Sequence, residues 1–152
     1  MPYESEVTAL AQGALAAHGK LEEVVFLRAN DYSLLVFSDG FVLPTWFTQQ
    51  GDEDWEALNE EATKHSYQAE IAQRLGGTHP MSLLTFGYSG TGPDCFARFL
   101  QTAGFTSTSV EDIRPPLRLL KNGSRVGGTQ DGEIVAWEDG SETPRPGRRS
   151  KK

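Results

Sequence analysis

The stretch Gly87-Tyr88-Ser89-Gly90-Thr91-Gly92-Pro93-Asp94-Cys95 gathers the residue types that carry chemistry: three glycines, two aliphatic hydroxyls, a phenol and the single cysteine of the chain. Several chemistries use such a composition. Gly87 and Gly92 have the G-x-x-x-x-G spacing of a phosphate-cradling loop, but Pro93-Asp94 stands where that loop needs Lys-Ser/Thr. No lysine there neutralises a β- or γ-phosphate, and an aspartate repels one. Gly90-Thr91-Gly92 begins a G-x-G-x-x-G, yet Cys95 occupies the third glycine position and no βαβ unit with a ribose-binding acid follows. Gly87-Tyr88-Ser89-Gly90-Thr91 resembles the G-x-S-x-G of a nucleophile elbow, which needs a histidine further along the chain. His18, His65 and His79 all precede Ser89, which argues against an α/β-hydrolase.

Two readings of the loop remain. In the first, backbone N–H groups at Gly90–Cys95 hold an anion at a helix start, where the dipole favours negative charge. Gly87, Tyr88, Ser89, Gly90, Thr91 and Gly92 then form the ligand-binding set, and Arg98 adds charge one turn into the helix. In the second, the same N–H groups form an anion hole for catalysis, with Cys95 or Ser89 as nucleophile and His79 or His65 as base. The dipole lowers a thiol pKa at a helix start, while Asp94 beside Cys95 raises it. Against both stands a purely structural turn, with Cys95 a small buried hydrophobe.

Thr78-His79-Pro80 followed by Phe86-Gly87-Tyr88-Ser89-Gly90-Thr91-Gly92-Pro93 resembles the signature of a family of short, uncharacterised bacterial and phage proteins. That signature reads roughly Trp-Gly-Tyr-Gly-Gly-Ser-Gly-Pro and leads into an alanine- and leucine-rich helix. Phe86, Ser89 and Thr91 depart from it, and so does the bulkier helix start Asp94-Cys95-Phe96. The resemblance covers residues 78–103 and implies a bacterial or phage setting. It implies no catalytic residue.

The elements that position the loop follow from periodicity. Ser5 as N-cap, the stripe Val7, Leu10, Ala11, Ala14 and Leu15, and Gly19 as a stop predict a helix over 5–18. Strands over 22–29, 32–38 and 41–47, joined by Asn30-Asp31 and Ser38-Asp39-Gly40, predict an antiparallel meander. Pro44 donates no hydrogen bond and puts the third strand at an edge. Residues 52–75 predict one long helix with Trp55, Leu58, Ala62, His65, Ala69 and Ala72 on one face, ended by Gly76-Gly77. Its opening carboxylates Asp52, Glu53, Asp54 and Glu56 complement the helix dipole and do not converge on a metal. Trp46, Phe47 and Trp55 form a core cluster or a partner-facing one. A strand over 81–86 and a helix over 93–103 flank the loop. A strand at 117–120 and a hairpin between 125–126 and 133–138 complete the expectation.

The fold class is therefore α+β: an antiparallel sheet, the N-terminal three-strand meander plus further strands, packed on one face by three helices. A single globular domain over 1–143 and a disordered basic tail over 144–152 fit the 152 residues. The net charge is −7, yet the last nine residues hold five of the 14 basic groups and none of the 21 acidic ones. Such a body lacks the Lys/Arg clustering of a broad nucleic-acid face, and the tail alone offers a salt-sensitive contact with an anionic partner. No apolar run approaches a membrane span, no signal-peptide pattern opens the chain, and one cysteine suits a reducing compartment. The expected location is cytoplasmic. Scattered histidines predict no metal site and no cofactor. Two function classes stand: a small binding or regulatory protein contacting a partner protein or small anionic ligand through loop 87–93, preferred, and a small enzyme acting on a phosphorylated or acyl substrate.

Overall fold

Residues 21–45 are so apolar that their strands need cover on both faces, and the sheet is built around them. The computed structural model describes residues 2–28, 30–45, 60–127, 129–130 and 133–134. Helix α1 (Glu4–His18) leads into β1 (Leu21–Arg28), β2 (Tyr32–Phe37) and β3 (Val42–Pro44). Helix α2 (Ser66–Arg74), a 3-10 turn (Pro80–Leu83) and helix α3 (Thr91–Thr102) follow. Then come β4 (Leu117–Leu120), β5 (Arg125–Val126), β6 (Thr129–Gln130) and β7 (Glu133–Ile134). The sheet runs β3-β2-β1-β4-β5, every neighbour antiparallel, and β6–β7 is a separate ladder. The protein is α+β, and its N-terminal meander has Pro44 on the outermost strand.

Register sorts the side chains. Leu43, Leu35, Val24 and Leu119 pair in one row across four strands, and all four are buried with Phe26 and Phe37 against α1, α2 and α3. The helices supply Val7, Leu10, Ala11 and Ala14, then Ile71, then Cys95, Phe96, Phe99 and Leu100. On the opposite face Val25, Leu34, Val36 and Val42 are fully buried as well. That face also carries the ion pair Arg118 Nη2–Glu23 Oε2 at 2.8 Å, with Glu23 7% exposed.

Five expectations are corrected. Helix α1 starts before Ser5: Tyr3, left-handed at φ 64°, is its N-cap, its carbonyl accepts from Val7 N–H at 2.9 Å, and the Ser5 hydroxyl donates to Glu6. The long helix is interrupted. Residues 60–62 are helical, but His65 is extended at φ −114°, ψ 147° and caps a second helix. The Gln68 side chain explains the break, accepting from His65 N–H at 3.2 Å and donating to the Ala62 carbonyl at 3.5 Å. The strand expected over 81–86 is a 3-10 turn followed by an extended run. His79 Nδ1 accepts from Met81 N–H, the Ser82 hydroxyl donates to His79 O, and Pro80 has no N–H for a ladder. Helix α3 begins at Thr91, because Asp94 N–H reaches back to Gly90 O at 3.1 Å. Finally, Arg125–Val126 pairs with β4 across Asn122-Gly123, and Glu133–Ile134 pairs with Thr129–Gln130 instead. Residues 46–59, including Trp46, Phe47 and Trp55, and the tail 144–152 lie outside the described residues.

Candidate functional site

Phe86 anchors the loop. Its ring lies edge-on to Phe26 at 4.7 Å and 6.5 Å from Phe96, tying the loop entrance to β1 and α3. Its N–H donates to Asn30 O at 2.8 Å, and Asn30 Nδ2 returns a bond to Phe86 O at 3.1 Å. Gly87 turns at φ +83°, and its N–H meets Val110 O at 2.9 Å. The turn between β1 and β2 and the segment before β4 thus fix the loop from two sides.

The tyrosine then folds back over the glycines. Tyr88 Oη and Thr85 Oγ1 are 2.7 Å apart, and this bond passes directly above Gly92. A Cβ on Gly92 would stand 1.7 Å from Thr85 Oγ1 and 2.9 Å from Tyr88 Oη. Gly92 is therefore a glycine for close packing, which its spacing alone does not reveal. Gly90 is extended at φ 168°.

Charges of both signs border the loop: the exposed Arg114 guanidinium stands by Ile113 O next to Gly87, and carboxylates lie toward the helix. Ser89 Oγ donates to Glu111 Oε1 at 3.4 Å, and Asp94 is exposed in the first helical turn. Arg98 does not serve the loop with a free charge: its Nη2 is 2.9 Å from Glu4 Oε2 on α1. Pro93 has no N–H and that of Asp94 is taken, so Thr91 and Gly92 are left to present donors at the helix start. Cys95 is fully buried, with Sγ 3.9 Å from Pro2 O, and burial followed by the Asp94 charge pushes its thiol pKa up. His79 caps the 3-10 turn, and burial pulls its pKa down to about 4, so the ring is neutral at pH 7. Among the described residues no hydrogen bond joins Ser89 or Cys95 to a histidine.

A second cluster escaped the sequence reading because it draws on three separated segments. His18, at the end of α1, is buried; its Nδ1 lies 3.4 Å from Asp39 Oδ2 and its Nε2 3.1 Å from Tyr67 Oη. Its ring stacks on Phe41 at 3.8 Å and 6°, and His65 stands edge-on at 4.8 Å. Burial lowers the His18 pKa, with Asp39 pulling the other way. The only sequence signal was a basic residue in the last turn of a helix, which the dipole alone explains. Beside this cluster, residues 63–66, Ala69, Ala72, His79 and Pro80 line a cleft of about 410 Å³.

Among the described residues no group of three His, Cys, Asp or Glu side chains gathers to hold a metal ion, and no helix is long and apolar enough to cross a membrane. Comparison of the chain with protein families, with curated proteins and with solved structures returned no match.

Proposed function

We propose that this chain is a small binding or regulatory protein that contacts a partner protein through the loop 87–91 and the neighbouring start of α1. The observation that carries this reading is the placement of two side chains. Tyr88 (44% exposed) and Tyr3 (45%) are the exposed large hydrophobics among the described residues, Tyr88 just ahead of α3 and Tyr3 between two residues that touch it. Tyr88 leans over Gly92, while the backbone next to Tyr3 touches Cys95 and Glu4 engages Arg98. Exposed tyrosines on a rigid surface are the usual anchors of an interface, because they offer apolar area at low entropic cost. The loop is pinned by backbone bonds to Asn30 and Val110, so little ordering remains for binding to impose.

Charge selects the partner over a small anion. Asp94 and Glu111 are exposed beside the loop, and Glu4 and Arg98 are paired with each other. The Asp94 and Glu111 carboxylates disfavour phosphate or carboxylate at the helix start and favour a partner presenting Arg, Lys or other donors. Affinity capture from source cells with wild type, Tyr88→Ala, Tyr3→Ala and the exposed α3 control Gln101→Ala tests the reading. A protein retained by wild type and control, and bound about tenfold more weakly by each tyrosine variant once purified, is the expected result. Equal binding by all four chains would remove the tyrosines from the interface and the proposal with them.

A further inference from the structure

Asn122-Gly123 is the one Asn-Gly pair of the chain, and it sits where β4 turns into β5. Gly123 N–H donates to Leu120 O at 2.9 Å, Leu120 N–H donates to Ser124 O at 2.8 Å, and Gly123 takes the bulge position at φ +95°. That conformation belongs to glycine, so the residue after Asn122 has no side chain to shield its nitrogen. Asn122 itself is exposed.

Its side chain is held in place. Oδ1 accepts from the Ser124 N–H at 2.9 Å, a bond that folds the carboxamide forward across the Asn122–Gly123 peptide. The amide carbon therefore faces the Gly123 nitrogen. A backbone donor already rests on the oxygen that gains charge when that nitrogen attacks.

We propose that Asn122 is a self-modifying site: its amide is lost in the folded chain by ring closure onto the Gly123 nitrogen, and the isoaspartate product releases β5.

Hydroxide removes the Gly123 amide proton, and the nitrogen forms a bond to Asn122 Cγ. The charge passes to Oδ1 beneath the Ser124 N–H, the Cγ–Nδ2 bond breaks, and ammonia leaves with a proton from water. A succinimide remains. Water then opens the ring, at the side-chain carbonyl to give aspartate or at the main-chain carbonyl to give isoaspartate. The balance is one water consumed and one ammonia released, with no change of oxidation state.

One contact resists. The Gly123–Leu120 bond must open before the nitrogen is free, which slows closure by about fivefold at the usual net strength of such a bond. The Ser124 donor acts in the other direction, because it binds an oxyanion more strongly than a neutral carbonyl. Asn30 lacks both conditions: Asp31 follows it, and its Nδ2 is tied to Phe86 O at 3.1 Å.

The two products differ in effect. Aspartate keeps an acceptor for Ser124 and adds a negative charge next to Lys121. Isoaspartate lengthens the main chain by one carbon inside the turn, so Gly123 N–H and Leu120 O fall out of register. β5 then comes free, and with it Arg125, which bonds Asp112 Oδ1 at 3.1 Å and Ser109 O at 3.3 Å.

Incubation of the full chain between neutral and mildly alkaline pH, followed by peptide mapping, tests the site. Asn122 is expected to gain the mass of an acid over an amide, faster as hydroxide rises, and to take up label from oxygen-labelled water. The native chain is expected to convert within about fivefold of the rate of the chain unfolded in guanidinium chloride. A greater slowing would show the turn sealed by its Leu120 bond and overturn the proposal, as would equal conversion at Asn30. Asn122→Gln is expected to stay unmodified, since its longer side chain closes a larger ring; the same mass gain in its turn peptide would sink the proposal. In the isoaspartate fraction, amide exchange at Leu120 and Gly123 is expected to be about tenfold faster than in the unmodified chain, with residues 24–26 unchanged. Unchanged protection at Leu120 would overturn the release of β5.

Discussion

Gly92 shows how a single residue can be noticed for one reason and required for another. Its spacing from Gly87 suggests a phosphate cradle, but its place under the Thr85–Tyr88 hydrogen bond is what forbids a side chain. Gly92→Ala is expected to destabilise by about 1–3 kcal/mol, because Thr85 must rotate and give up Tyr88. Thr85→Ala in the same chain should recover part of that loss, since the 1.7 Å clash with Oγ1 is removed and only the Thr85 Cβ at 3.0 Å and Tyr88 Oη at 2.9 Å remain close to the new methyl. Urea unfolding of the two variants and wild type measures both effects. The surroundings of the nucleophile candidates matter as much as their type. Cys95 has the helix start that activates thiols, yet burial and Asp94 hold it protonated. Ser89 has a carboxylate beside it instead of an imidazole.

At the level of elements, periodicity was a good guide where apolar residues recur over a long stretch. The 5–18 stripe and the three meander strands emerge within a few residues of expectation, because their burial repeats at the helical or strand period. It failed where side chains compete for the backbone: Gln68 breaks the helix before Ser66, and His79 with Ser82 winds Pro80–Leu83 into a turn. Only the fold could reveal the pairing of Glu23 on β1 with Arg118 on β4, 95 residues apart. Glu23→Ala leaves a largely buried guanidinium without this partner and is expected to cost about 3–5 kcal/mol. The double variant Glu23→Leu/Arg118→Met replaces the pair by apolar volume and should recover most of the stability. A denaturant series on the single and double variants decides the matter. A double variant as unstable as the single would show that charge at this site is itself required.

For the whole molecule, pH is the lever that the buried histidines provide. His79 has a folded pKa of about 4 against 6.5 for the free side chain, and that of His18 is also lowered. The unfolded chain therefore binds protons first as pH falls. The stability these rings contribute is complete above about pH 6.5 and, for His79, drains away between there and about pH 4. Thermal unfolding of wild type and His79→Asn across that window should give a shallower pH dependence in the variant, whose amide still accepts from Met81 N–H. Identical slopes would place the acid sensitivity elsewhere.

The sequence by itself determined the α+β class, the order and antiparallel meander of the first three strands, and a glycine turn leading into an apolar helix. These are local matters: side-chain period, turn residues and the φ freedom of glycine act over a few positions. Tertiary structure alone decided that Tyr88 covers Gly92, that Arg98 belongs to Glu4, and that Arg125–Val126 pairs with β4. It also brought His18, Asp39, Phe41, His65 and Tyr67 into one cluster. Those contacts join residues far apart in the chain, and their energies exist only once the intervening elements have packed.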